Sequence, residues 1–288
     1  MGDREQLIEA LDELLDGWDE FVSTSHVTWV GTGARKGRNR SKAQTAIVVG
    51  LVTHVHETAR LLKPAMPDGL TIAHMPLVRS IYESTLTAVW ADEVADGAEA
   101  IMKEEGRNRR ALEQAWEDIE SFKKGVPIPH TEWADVETPS ANQARNFEQL
   151  AKEVALEGAY AYYRVLSGLS HVSIMTVDEY VEETQAGDSE AGFRFIARPD
   201  PLGSEAWSSL VAYCLIWAGM VANYYDETRS RRSALRSIAR KLGIEPELAV
   251  DGDAILKRRK AAKQRASKKQ KHCAGCNCAP SPSDQVRP

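Results

Sequence analysis

Two stretches of this 288-residue chain hold side chains whose types and spacing suit proton transfer beside a phosphate. In AYAYYRVLSGLSHVS, residues 159–173, Arg164 precedes His171 by seven residues. On a continuous helix that is two turns, about 10 Å along the axis, and both side chains share one face. Ser167, Gly168 and Ser170 argue for a helix that stops or bends there, which lets the imidazole swing towards a bound group. Tyr160, Tyr163, Ser167 and Ser170 surround the pair with hydroxyls. An imidazole moves protons near neutral pH, and a guanidinium neutralises a pentavalent phosphate. Together they suit metal-independent cleavage of a phosphodiester by its neighbouring 2′-hydroxyl, with Arg164 and His171 as the catalytic candidates. The bland alternative for His171 is a helix-end histidine that meets the dipole and a core hydroxyl.

The second stretch is LVRSIYESTLTAVW, residues 77–90. Arg79 and Glu83, four apart, share a helix face with Thr87 and Trp90, amid Val78, Ile81, Leu86 and Val89. An enclosed ion pair needs accurate partners to offset its desolvation, so Arg79 and Glu83 are expected to meet each other or further polar groups. One reading is a structural pair that sets helix register. The other is a polar wall in which Arg79 offers a planar guanidinium to phosphate. Tyr163, Ser167 and His74 join Arg79 and Glu83 as candidate substrate-binding or supporting residues.

The R-VLSGLS-H stretch resembles the R-x4-6-H motif of the HEPN superfamily (higher eukaryotes and prokaryotes nucleotide-binding), which comprises all-helical domains. RSIYE with YRVLSGLSH is also similar to a large uncharacterised group of bacterial and phage-associated helical proteins, over about residues 43–225. The resemblance implies a metal-independent ribonuclease of phage defence or a toxin–antitoxin system, cutting RNA where two protomers meet. Arg164 would then stabilise the phosphate and His171 act as acid and base. A homodimer and an inhibitory protein partner follow from the same likeness. Val165 stands where active members carry a polar residue, often Asn, and this favours the alternative of a non-catalytic helical scaffold or nucleic-acid-binding adaptor.

Other chemistry is weaker. His54 and His56, two apart, point to different faces of a helix and cannot chelate one ion from it. Glu57 can share a face with His54, yet the usual zinc-site spacings are missing, so no body metal site and no cofactor is expected. GTGARKG, residues 31–37, lacks the pattern of a phosphate-cradling loop. With Arg35, Lys36, Arg38, Arg40 and Lys42 it reads as a solvated cationic loop or a phosphate contact.

The C-terminal stretch has the clearest composition. Nine Lys and Arg lie between Lys257 and Lys271 with no acid among them, whereas the whole chain has formal net charge -6. An acidic body with a basic tail excludes a protein that coats nucleic acid along its whole length. Arg258, Arg259, Lys260 and Lys263 are candidate nucleic-acid contacts: counterion release lets such a run bind nucleic acid or an anionic surface, and it could equally dock on the protein's own acidic body. HCAGCNC, residues 272–278, makes His272, Cys273, Cys276 and Cys278 a cramped candidate metal set. Cys214 alone lies in the body, in an apolar run, so a reducing, cytoplasmic location is expected.

The elements that must position these residues read as helical almost throughout. Leu7, Leu11, Leu14 and Trp18 give helical spacing over residues 4–22. Further helices are expected from Ser41 to about Lys63, over 75–98, 100–124, 141–168 and 205–226, and through residue 242. A short acidic helix near 177–184 and a strand in GFRFIAR make up the irregular insertion of 172–203. The uncharged run Ala206–Tyr225 is long enough to span a bilayer, but its diluting polar residues favour a buried core helix and no membrane partner. The fold expected is all-α: a multi-helix bundle over 1–242 with a basic, Cys-containing, flexible tail over 243–288.

Overall fold

Apolar residues three and four apart build the first helix, α1 (Asp3–Thr24), which buries Leu7, Leu11, Leu14, Leu15, Trp18 and Phe21 along one side. The computed structural model describes residues 3–24, 40–117, 137–184, 192–203 and 205–275, apart from the side chains of residues 3, 116–117 and 265–275. Ser41 opens α2 (Lys42–Leu62), its Oγ accepting the Gln44 N–H at 3.0 Å. Val48, Val52, Val55, Ala59 and Leu62 form the buried face of α2. Pro64 ends it in a single 3-10 turn, Lys63–Ala65, and the chain reverses at Gly69, where φ is +96°. A second 3-10 turn, Ile72–His74, leads into α3 (Met75–Glu93), with Pro76 in its first turn.

Helix α3 stops at Glu93 rather than near 98, because Val94 turns extended and α4 (Gly97–Glu117) starts anew. The single helix expected over 141–168 is instead three: α5 (Ala141–Arg145), α6 (Phe147–Ala151) and α7 (Ala159–Ser170). Extended Asn146 separates the first two, and its side chain caps the Glu148 N–H at 3.0 Å. Gly158, at φ +73°, separates the second from the third. The acidic helix expected near 177–184 is also corrected. Helix α8 (Ile174–Asp178) is shorter and earlier, and β1 (Val181–Glu183) pairs antiparallel with β2 (Phe193–Phe195) in the register Val181–Phe195.

Helices α9 (Ala206–Asn223) and α10 (Arg232–Lys241) complete the body. The fold is all-α; among the described residues the hairpin is its one sheet. Helices α2 and α3 pack side by side, α9 lies across both, α1 and α10 cover α9, and α7 packs on α3. Val52, Val55, Ile81, Leu86, Trp90, Leu215 and Ile216 are fully enclosed at the centre. Helix α9 is apolar and long enough to cross a membrane, yet 78% of it is buried among its neighbours. Cys214 sits in that interior, and desolvation pushes its thiol up to about 12.

The body extends to Val250, eight residues beyond the expected boundary. The Ala155 N–H donates to Ala249 O at 2.8 Å, and Trp217 Nε1 donates to Glu245 O at 2.9 Å. Residues 251–288 form a second unit containing α11 (Gly252–Gly275).

Arg40 also departs from expectation. It is a buried anchor, not part of a solvated loop. Its Nε and Nη2 hold Asp92 Oδ1 at 2.8 and 2.7 Å, Nη1 donates to Tyr224 O at 2.9 Å, and Tyr225 OH donates to the same Asp92 oxygen at 2.9 Å. Arg35, Lys36, Arg38 and the glycine-rich stretch lie outside the described residues.

Candidate functional site

Helix α3 presents Arg79 and Glu83 one turn apart, and they pair as their spacing requires, Nε donating to Oε1 at 2.7 Å. The pair is partly open, with the two side chains 18% and 33% exposed. Two further contacts come from α7 and its end. Arg79 Nη1 donates to His171 Nε2, and Nη2 lies 3.5 Å from the Tyr163 hydroxyl oxygen. The guanidinium also stands 5.3 Å from the centre of the Tyr163 ring. One arginine thereby joins a carboxylate, a phenol and an imidazole.

Helix packing dictates this meeting. Leu166 and Leu169 bury the inner side of α7, and Tyr82 OH of α3 donates to Ala159 O at 2.7 Å, fixing the start of α7. Tyr163 lies against Phe147 of α6, ring centres 4.7 Å apart, with Tyr160 at 6.0 Å. Phe147 is a supporting residue that the sequence reading missed; its only signal was an aromatic beginning a short helical run. Helix α7 ends before His171, as its serines suggested. His171 is the capping residue in extended conformation, its N–H donating to Ser167 O at 3.2 Å. Ser173 and Thr176 hydroxyls satisfy Gly168 O and His171 O, each at 3.0 Å. This leaves the imidazole exposed beyond the helix end.

A guanidinium can only donate, so Nε2 of His171 is the acceptor in this contact. An anion that took the guanidinium would free the same nitrogen for proton transfer.

Arg164 is not in this cluster. It lies on the exposed side of α7, and no hydrogen bond or ion pair joins it to His171 within the chain. Its charge instead adds to the hydrogen bonds from Lys152 and then Tyr160 that hold the Glu148 carboxyl below its usual range. The expected Arg164–His171 face is therefore replaced, within one chain, by an Arg79–His171 pairing. The reason is the break at Ser170, which ends the two-turn geometry. Ser167 is half-buried, and its Oγ and that of Ser170 are enclosed without a hydrogen-bond partner. His74 is committed elsewhere: its Nδ1 accepts the Thr71 N–H at 3.0 Å and caps the turn before α3.

His54 meets Ser80 Oγ at 2.9 Å, while His56, which sequence gave no role, is sealed in the core. Its Nδ1 donates to Val52 O at 2.8 Å and its ring stacks on Trp18 at 3.9 Å. Among the described residues, no three His, Cys, Asp or Glu side chains gather to hold a metal ion. Arg258, Arg259, Lys260 and Lys263 lie on α11 in the second unit. The side chains of His272 and Cys273, and all of Cys276 and Cys278, lie outside the described residues.

Residues 45–189, which include both Arg79 and His171, match the model of a family of unknown function (DUF5677). No curated protein and no solved structure matches the chain.

Proposed function

The chain belongs to that family of unknown function, and we propose from its site that it is a metal-independent endoribonuclease-like protein acting as a homodimer. The observation that carries the reading is the exposed imidazole of His171 held by the guanidinium of Arg79, itself oriented by Glu83. An RNA phosphate displaces His171 from Arg79 and takes its place. The 2′-hydroxyl attacks phosphorus, its proton passes to His171 Nε2, and a 2′,3′-cyclic phosphate forms as the 5′-oxygen leaves with a proton from a second acid. His171 of a second copy is the candidate for that acid, and Arg164 of that copy for a further phosphate contact. Electrostatic neutralisation by Arg79 and proton transfer by His171 are the two contributions the chain supplies.

Exposed apolar side chains beside the site support self-association. Val172, Ile174, Met175 and Val177 follow His171 directly, and Val172 is 100% exposed. An active ribonuclease also needs restraint, which suits an inhibitory partner and a role in phage defence or a toxin–antitoxin system.

The test is incubation of single-stranded and structured RNA with the protein in chelator, beside His171→Ala and with sedimentation to read its oligomeric state. Cleavage leaving cyclic phosphate ends, lost in the variant, is the expected result. Intact RNA with a folded dimer refutes it. Val165 and the full set of partners already held by Arg79 favour a second reading, a helical scaffold or nucleic-acid-binding adaptor. That reading gives RNA binding, or a protein contact, without cleavage.

A further inference from the structure

Helix α10, RSALRSIARK, has four basic residues and no acidic one. Leu235, Ile238 and Ala239 face the core, so Arg232, Arg236 and Arg240 fall four apart along the other side. Like charges at that spacing repel, and Arg232 sits at the positive end of the helix dipole. With Arg229, Ser230, Ser233 and Pro246 they line a cavity of about 500 Å³. Among the described residues lining it, none is acidic.

The surroundings only partly offset this concentration of charge. Glu247 pairs with Arg236 at 2.9 Å and more loosely with Arg232 at 3.7 Å. Arg232 Nε is buried without a hydrogen-bond partner, a condition that normally calls for a ligand or a water. Asp226 is spent on the preceding turn, where its Oδ2 accepts from Thr228 Oγ1 at 2.6 Å and from the Ser230 N–H at 3.1 Å. That turn holds Arg229 at φ 52°, a left-handed conformation unfavourable for a side-chain-bearing residue and common where backbone strain serves a site.

We propose that the arginine-lined cavity beside α10 binds a compact anion carrying two or more phosphoryl groups, such as a pyrophosphate or the phosphates of a nucleotide. Guanidinium forks match phosphoryl oxygens in pairs, and the cavity volume is that of a small-molecule site. A long nucleic-acid strand fits less well. Glu13 and Glu20 line the adjoining cavity, which shares Ser230; Glu13 pairs with Lys241 at 3.2 Å, and the charge of Glu20 opposes a polyanion running past the groove. Every residue lining this cavity lies outside the family match, and the proposal stands independently of RNA cleavage.

Isothermal titration of the full chain at physiological salt tests it, with pyrophosphate and ADP as probes and AMP and a 20-nucleotide RNA as comparisons. Pyrophosphate or ADP is expected to bind at least tenfold more tightly than AMP. Pyrophosphate as strong as ADP assigns recognition to the phosphates alone, whereas ADP stronger than pyrophosphate adds a nucleoside contact. Arg232→Gln and Arg236→Gln, both at partly exposed positions, are expected to weaken binding at least tenfold with unchanged circular dichroism. Glu247→Gln is expected to strengthen it by removing the competing carboxylate. Absence of binding at millimolar pyrophosphate and ADP overturns the proposal. So does binding that is indifferent to both arginine variants, or RNA binding through these arginines without pyrophosphate or ADP binding.

Discussion

Arg79 and His171, 92 residues apart in the chain, meet side chain to side chain at the exposed end of α7. The contact ties the outer face of α3 to the residue that ends α7, and it makes one guanidinium the hub of the cluster. Glu83 holds its Nε, the Tyr163 ring centre lies 5.3 Å from its Cζ, and His171 takes its Nη1.

Arg79→Lys keeps the charge and loses the planar fork, so it cannot hold Glu83 and an entering phosphate together. On the proposed ribonuclease reading, RNA cleavage is expected to fall about 10-fold or more in Arg79→Lys, and about 100-fold in Arg79→Ala and His171→Ala, within the usual range for a lost electrostatic or acid–base group. Melting temperatures are expected to stay close to wild type, because the Arg79–Glu83 pair is partly exposed and such pairs contribute about 1 kcal/mol or less. Cleavage rates and melts on the same preparations check both statements.

His56 makes stability depend on pH. Burial, assisted by the charges of Arg231 and Arg60 and opposed by the bond to Val52 O, lowers it from 6.5 to about 3 in the folded chain. Between those values the unfolded chain binds a proton that the folded chain refuses. The stabilisation is complete above 6.5 and is lost as pH falls towards 3. This residue alone is expected to remove about 2 kcal/mol between pH 7 and pH 5. Urea unfolding at the two pH values, with His56→Phe lacking this component, measures it.

Asp92→Ala is expected to destabilise the chain by about 3–5 kcal/mol, because it leaves the Arg40 guanidinium enclosed and uncompensated. The double replacement Arg40→Met with Asp92→Leu is expected to cost less than Asp92→Ala, since it removes both charges and keeps apolar volume. Denaturant midpoints of the wild type and the two variants provide the comparison.

Gly69→Ala is expected to lower stability by about 1 kcal/mol or more. A Cβ there would lie 2.7 Å from Pro201 Cβ, at a backbone φ of +96° that side-chain-bearing residues avoid. Gly50→Ala, in α2 with open space around its Cβ position, is expected to be neutral or stabilising. Thermal melts of the two variants check this, with a lowered midpoint expected for Gly69→Ala alone.

Local regularities were legible without coordinates. The spacing of Leu7, Leu11, Leu14 and Trp18 set the buried face of α1, Ser41 marked the start of α2, and the apolar run of α9 marked the central helix. Arg79 and Glu83 met because four residues make one helical turn, and the serines before His171 foretold the end of α7. Each depends on neighbours a few residues away, where helix geometry alone decides the distance. Tertiary packing decided the rest. It drew Arg40 into the core beside Asp92, and it set α7 against α3 so that His171, past the break at Ser170, meets Arg79. These outcomes turn on which helix lies against which, and that is set by the burial of many side chains at once, which no single spacing records.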